Sequence, residues 1–288
     1  MNKEDIESIV PLLPAQQFML SASLKSSNSE YVQQLLFQVK TLDYSQILAG
    51  ISTLIASYEC LRSQVLYEGL KQPVWVTLRN GKPKITAREC SWEAVLSEKD
   101  RIRKQGFNLA QEPALRFDWF VTPQGSYLLL TNHHLLYDGW GRQQLLGDFI
   151  QLLYSPKLHI PKRSIKAWYE AWKTMDHGSA LEAYRKYLIP LSSFAEFTEV
   201  VGGQLGTREL VTEIPINELK VHSSKMGLTQ AEYINFTWCC FMARWTSNPD
   251  VQVGVVKQNG LIEKVKNGFG LAIQTLPLQF HADLNETP

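Results

Sequence analysis

The sequence has little cysteine: four residues among 288, Cys60, Cys90, Cys239 and Cys240, with no CxxC spacing. The adjacent pair would diverge around a helix, so neither a zinc site nor a disulfide framework is expected, and reduced core thiols in a cytoplasmic protein are. Charge of neither sign is in excess, 29 basic against 28 acidic side chains. That balance leaves no footprint for nucleic acid or an anionic membrane surface. Long hydrophobic runs are missing as well: WCCFMA at 238–243 is among the longest, far short of the ~18 apolar residues of a membrane span. The opening MNKEDIESIV mixes acids with a base and lacks the apolar core of a secretory signal. The glycines of GGQLG at 202–206 are followed by neither GKS/GKT nor GxGxxG, so no phosphate cradle is expected there. No internal repeat or low-complexity segment is evident.

What is present is an ordinary globular composition, 44% hydrophobic and 20% charged, which argues against disorder. The length suggests two domains or one large one, at roughly 100–200 residues per domain. Residues 32–40 and 115–121 read as strands, with Leu115, Phe117, Trp119 and Val121 on one face of the second. Between them, Asp43 with Gln46 marks a helix start, and Ile47, Leu48, Ile51, Leu54 and Ile55 follow at helical spacing. Residues 63–68 and 73–78 resemble a strand pair. A strand over 126–134 runs into a turn at Asp138-Gly139, and a helix then carries Leu145, Leu146, Phe149, Ile150 and Leu153.

YSPKLHIPKRS at 154–164, with two prolines and four basic residues (Lys157, His159, Lys162 and Arg163), is the best candidate for an interlobe linker. It divides the chain into lobes 1–160 and 161–288. Trp168, Ala171, Trp172 and Met175 mark a further amphipathic helix. Thr229 with Glu232 forms a capping box, with Leu228 able to staple onto Tyr233. The helix that follows, through FTWCCFMARW, is apolar on most sides and predicts a buried core helix. Residues 250–256 and 271–280 read as strands. The irregular mixture predicts an α/β (α+β) sandwich rather than a doubly wound parallel sheet.

Chemistry concentrates in SYLLLTNHHLLYDGW at 126–140. On a strand, neighbouring side chains face opposite ways, so His133 and His134 point to different sides. One can face a cleft while the other is structural, and the pair cannot readily chelate one metal ion. No metal is expected. Two adjacent histidines alone are usually core residues, and Asp-Gly alone is usually a turn; the combination HHxxxDG is much more specific. It resembles the active-site motif of the coenzyme-A-dependent, chloramphenicol-acetyltransferase-like acyltransferases, in particular the condensation domains of nonribosomal peptide synthetases. PLLPAQQFML (11–20), YECLRSQV (58–65), FNLAQEPALRF (107–117), IKAWYEAW (165–172), WCCFMARWTSNPDVQVGVV (238–256) and GLAIQTLPLQF (270–280) resemble other motifs of that family, in order.

The resemblance implies a chloramphenicol-acetyltransferase-like lobe followed by a partial second lobe of similar type, with a tunnel between them. It implies His134 as the catalytic histidine beside His133, Asp138 as a structural carboxylate held by Arg62, and the Gly139 N–H as a donor to the developing oxyanion. Trp140, Gln274 and Thr275 are the corresponding tunnel residues. The implied reaction is attack of an aminoacyl amine on a peptidyl or acyl thioester. Both substrates would ride on 4′-phosphopantetheine arms of donor and acceptor peptidyl carrier proteins, beside adjacent synthetase domains, with no cofactor bound directly. The DGW context and GLKQPVWV resemble forms that take a donor of D-configuration.

The sequence also departs from the pattern. Leu13 stands where the opening motif has Ser or Thr, Tyr58 replaces a His, and Gly141 replaces the Ser after DGW. Gln274 and Gln279 stand for an Asn and an Arg, and the 254–270 loop looks short. The chain ends at Pro288, soon after the late strand motif, where family members normally continue. Two further readings follow: a catalytically weakened domain that docks a carrier or partner enzyme, and a freestanding acyltransferase using a coenzyme A thioester. A metal hydrolase is a distant fourth.

Overall fold

The computed structural model describes residues 2–25, 29–155, 157–190, 211 and 213–283. The GGQLG stretch and the C-terminal residues 284–288 lie outside them. The chain forms two compact units, residues 1–175 with 258–274, and residues 176–257 with 275–288. The division therefore falls later than the expected 160/161. The reason is that 163–165 are bound into the first unit: Arg163 N–H donates to Ser57 O (2.7 Å), Glu59 N–H to Arg163 O (3.1 Å) and Ser164 N–H to Asn267 O (2.8 Å). Ile160 and Ile165 are core residues. The proline-rich segment is a pinned strap, and its polar composition reflects hydrogen bonding to its neighbours rather than freedom.

The first unit opens with β1 (Ile6–Pro11) and α1 (Pro14–Lys25). Leu13 costs α1 its side-chain cap, but the helix recovers half of a capping box, because Gln16 Oε1 accepts the Leu13 N–H (2.9 Å). Then come β2 (Val32–Val39) and α2 (Tyr44–Ser57), whose expected Asp43–Gln46 capping box is present. β3 (Ser63–Leu66) and β4 (Val74–Leu78) follow, and β1 joins them in an antiparallel sheet of order β1-β4-β3. β1 carries a single charge, Glu7, on the exposed side of a half-buried strand beside Ile9, which masks it in sequence.

β5 (Lys84–Glu89), α3 (Trp92–Gln105), β6 (Leu115–Thr122) and β7 (Gly125–His133) complete a second sheet with β2, order β2-β7-β6-β5. β5 and β6 are parallel, so the chain needs a crossover between them, and α3 supplies it. Val95 and Ile102 of α3 pack on Phe120 and Leu129. The opposite face carries α2 and α4 (Gly139–Tyr154), whose Ile47, Ile51, Leu145 and Phe149 meet Phe117, Leu128 and Leu130. Both faces of β6 are therefore covered. The expected one-sided pattern gives way to burial of Phe120 as well as Phe117, while Val121 on the predicted inner face is 39% exposed. α5 (Ile165–Lys173) ends this part of the chain, and its Trp168 is buried.

The second unit contains α6 (His177–Tyr187), α7 (Ile216–Lys225), α8 (Gln230–Thr246) and β8 (Asp250–Gln258). After the single turn α9 (Leu261–Lys264) of the first unit, β9 (Ile273–His281) pairs with β8. The Thr229–Glu232 capping box forms as expected. α8 is not the all-round buried helix its composition predicts. Cys239, Met242 and Ala243 pack on Val251, Val253, Leu278 and Phe280. Trp238, Phe241 and Trp245 instead stack on one another at the surface, 5.4 and 5.6 Å apart. Gln279 does what an Arg could not: its Oε1 accepts the Ile189 N–H (2.9 Å) while its Nε2 donates to Ile189 O (2.8 Å). All four cysteines are free thiols.

Candidate active site

β7 stops at His133, one residue before the predicted end. The chain turns because the His134 N–H donates to Tyr31 O (2.7 Å) and the Leu136 N–H donates back to His133 O (3.0 Å). Tyr31 offers that carbonyl from a left-handed backbone, φ +62°, a conformation costly for a bulky side chain and typical of over-determined local structure.

The two histidines differ because His133 ends the strand and His134 opens the turn. His133 is buried, and both its ring nitrogens are committed: Nδ1 accepts the Leu135 N–H (3.1 Å) and Nε2 lies 2.8 Å from Ser23 Oγ. A backbone N–H can only donate, so Nδ1 is unprotonated and Nε2 carries the hydrogen. Burial, with a smaller contribution from His134, pushes its pKa down to about 4, so the ring stays neutral. Phe107 packs edge-on against it, 6.3 Å between centroids, and the Arg116 guanidinium lies 4.2 Å from the centre of Phe107. Glu112 pairs with Arg116 behind them. The FNLAQEPALRF segment thus backs the motif. His134 is only half-buried as a residue, but its Nδ1 is a buried atom with no hydrogen-bond partner among the described residues, so that nitrogen does not face the solvent. Asn132, two residues earlier, is buried, with neither amide atom partnered among the described residues.

Asp138 is the N-cap of α4. Its Oδ1 accepts the N–H of Trp140 (2.9 Å) and of Gly141 (3.1 Å), and its Oδ2 accepts the N–H of Ala272 (2.7 Å). Three backbone donors satisfy the buried carboxylate without a cation. The expected Arg62–Asp138 pair is absent. Arg62 follows a 3-10 turn to the edge of the β1-β4-β3 sheet, where its Nη1 donates to Glu7 and to Leu78 O (2.9 Å). Another arginine, missed in sequence because it sits in the presumed linker, is the one near α4: Arg163 bonds Lys266 O (2.7 Å) and Asp148 (3.3 Å), and Asp148 also accepts the Tyr58 hydroxyl (2.6 Å). Tyr58 thereby has a definite role where a His was expected.

Gly139 and Gly141 contrast sharply. A Cβ on Gly139 would meet nothing within 4 Å, whereas one on Gly141 would lie 2.7 Å from the Tyr137 Cβ. Gly141 is required by packing rather than as a substitute cap, and Gly139 leaves open space at the start of α4. Trp140 is exposed and borders a cavity of about 280 Å³, with Gln143, Trp168, Gly268 and Gly270 on its wall. Gln274 and Thr275 lie exposed on β9, Gln274 two residues beyond Ala272. The division into compact units falls between them. Among the described residues no group of three His, Cys, Asp or Glu side chains is placed to hold a metal ion, and no helix is long and apolar enough to cross a membrane.

These features are those of an acyltransferase-like motif on a mixed α/β scaffold, and the chain belongs to the condensation-domain family, whose pattern matches residues 6–187. Among curated relatives, it is 26% identical to bacitracin synthase 3 of Bacillus licheniformis over 98% of this chain and 5% of that protein. It is 24% identical to tyrocidine synthase 2 of Brevibacillus parabrevis over 99% of this chain and 9% of that one. The chain thus spans a small fraction of these relatives. Its fold is similar to that of the condensation domain of the monacolin K polyketide synthase (TM-score 0.76, 14% identity, 99% of this chain and 69% of that one). It is equally similar to the epimerization domain from the third module of tyrocidine synthetase B (TM-score 0.75, 14% identity, 98% and 70%). The expected chloramphenicol-acetyltransferase-like fold is the one these domains share.

Proposed function

We propose that this chain is an amide-forming condensation domain of a nonribosomal peptide synthetase, with His134 as its catalytic base. The observation that supports this most directly is the division of labour in the motif: His133 is buried and spends both ring nitrogens inside the fold, while His134 is only half-buried. The nucleophile is the free amine of an aminoacyl group and the electrophile is a peptidyl or acyl thioester, each tethered by 4′-phosphopantetheine to a carrier protein. The amine nitrogen bonds to the thioester carbon, His134 takes the ammonium proton, and the C–S bond then breaks. The departing thiolate receives the proton, giving one amide and one thiol.

Freeing an α-amine of pKa about 8 at neutral pH costs only about 1.4 kcal/mol. General-base help is worth ~10²–10⁴-fold, whereas orientation of two reactants can supply ~7–11 kcal/mol. His134 is therefore a positioning and proton-accepting group, and the geometry that brings two tethered substrates together contributes more. The Gly139 N–H, at the positive end of α4, is the donor to the tetrahedral oxyanion. Asp138 holds that helix end in place, and Trp140 lines the path of one substrate arm, a role supported by the cavity it borders. The test is amide formation between two loaded carrier domains with the wild type and with His134→Ala. The variant is expected to lose at least two orders of magnitude in rate. Undiminished product would overturn the assignment, and carrier binding without product by the wild type would favour a docking role.

A further inference from the structure

The turn that presents His134 is gripped by α1 at two points. Gln16 and Ser23 lie seven residues apart, two helical turns on one face, and both are buried although polar. Gln16 Nε2 donates to Leu135 O (3.0 Å). At the other point a chain of hydrogen bonds runs in one direction only. The Leu135 N–H donates to His133 Nδ1 (3.1 Å), which leaves His133 Nε2 as the protonated nitrogen. Nε2–H then donates to Ser23 Oγ (2.8 Å), and the Ser23 hydroxyl donates to Met19 O (2.9 Å). Each link fixes the polarity of the next. Leu135, the residue after His134, is thus held at its N–H through the His133 ring and Ser23, and at its C=O through Gln16.

Resting on the reaction assigned above, we propose that Ser23 and Gln16 are positioning residues for His134: α1 is the template that sets the orientation of the catalytic turn, and Ser23 is its link to the imidazole of His133. The hydroxyl is needed because it must accept from the ring and donate to a carbonyl at once. Alanine can do neither and would leave His133 Nε2–H facing a hole. Threonine keeps both functions, and its extra methyl has room, because Ser23 and His133 border a cavity of about 150 Å³ together with Leu20, Tyr67 and Phe107.

The experiment compares wild type, Ser23→Ala and Ser23→Thr in two ways. Imidazole ¹⁵N spectra of the free protein at neutral pH read the tautomer of His133 and the signals of His134. Steady-state amide formation uses a pair of aminoacyl-loaded carrier domains with which the wild type gives product. The expected wild-type spectrum has His133 protonated at Nε2. Ser23→Ala is expected to shift the His134 signals and to lower kcat roughly ten- to a hundredfold, with KM for both carriers unchanged, and Ser23→Thr to restore both. A wild-type ring protonated at Nδ1 would overturn the proposal. So would a Ser23→Ala variant with unchanged His134 signals and kcat, or equal impairment of Ser23→Ala and Ser23→Thr. If His134→Ala keeps full activity, the reaction assignment fails instead, and the spectra alone decide whether α1 positions the turn.

Discussion

The carboxylate of Asp138 binds the backbone N–H of Ala272, 134 positions further along the chain, at 2.7 Å. Its other oxygen caps α4 through Trp140 and Gly141. Asp138→Asn presents an amide N–H₂ where one of these donors now points, so either the cap or the Ala272 bond is lost. A lost cap costs about 0.5–2 kcal/mol and an unpaired buried N–H about 1–3 kcal/mol. Urea unfolding is expected to show a loss of about 2–4 kcal/mol. An unchanged midpoint would refute the structural role of this carboxylate.

Gly139 and Gly141 predict opposite phenotypes. Gly139→Ala meets open space, so its stability stays within about 1 kcal/mol of wild type. The N–H assigned to the oxyanion sits on the same residue, and the rate of amide formation is expected to fall about 10²-fold, the size of losing one such donor. Gly141→Ala drives a Cβ to 2.7 Å from Tyr137. It is expected to lose about 1–3 kcal/mol through overpacking. Thermal unfolding and single-turnover rates on the two variants separate the cases; a destabilised Gly139→Ala with intact turnover would contradict both assignments.

Much of this architecture was legible in the sequence because it depends on local rules. The Asp43–Gln46 and Thr229–Glu232 capping boxes, the β7 strand and the helix after Asp138 each follow from residues a few positions apart. The Arg62–Asp138 pairing that the family resemblance implies does not form, because Asp138 is satisfied by backbone donors. Its actual partners are backbone N–H groups, one of them contributed by a distant segment, and no side-chain pattern encodes those. Arg163 was overlooked for the complementary reason: prolines and cations look like a solvated linker until the strap is seen hydrogen-bonded to residues 57–59 and 267. α8 was misjudged because composition counts apolar residues but not whether anything covers them. The hydroxyl of Ser23 and the amide of Gln16 carry no signature at all, since each becomes meaningful only when β7 delivers His133 and Leu135 to α1.

His133 predicts a pH dependence of stability. Its folded pKa, pushed down to about 4 by burial, lies below the 6.5 of an unstrained imidazole. In that interval the unfolded chain binds a proton that the folded one refuses, so stability is complete above pH 6.5 and is lost as the pH falls towards 4. At about 1.4 kcal/mol per unit the whole window is worth about 3 kcal/mol. Urea unfolding of wild type and His133→Gln between pH 4 and 7 checks this, because carboxylate titrations are common to both. The wild-type curve should fall more steeply by roughly that amount. Parallel curves would mean that His133 is not held neutral by the fold.

Arg62 is expected to couple energetically to Glu7 and not to Asp138. The Arg62 guanidinium holds the Glu7 carboxyl below the usual carboxylate range through their hydrogen bond, against an opposing effect of burial. Glu7 is 36% exposed at its side chain, so solvent screening limits the pair to about 0.5–1 kcal/mol. A double-mutant cycle with Arg62→Met and Glu7→Gln should return a coupling of that size at neutral pH. Because the folded pKa of Glu7 is depressed, the coupling is present above the unfolded value and disappears as acid protonates the carboxylate. The parallel cycle of Arg62→Met with Asp138→Asn should be additive within about 0.3–0.5 kcal/mol, as for groups that share no partner. A larger coupling in the second cycle than in the first would restore the arginine–aspartate pair that the motif resemblance implies, and would place the Arg62 side chain elsewhere than against Glu7 and the Leu78 carbonyl.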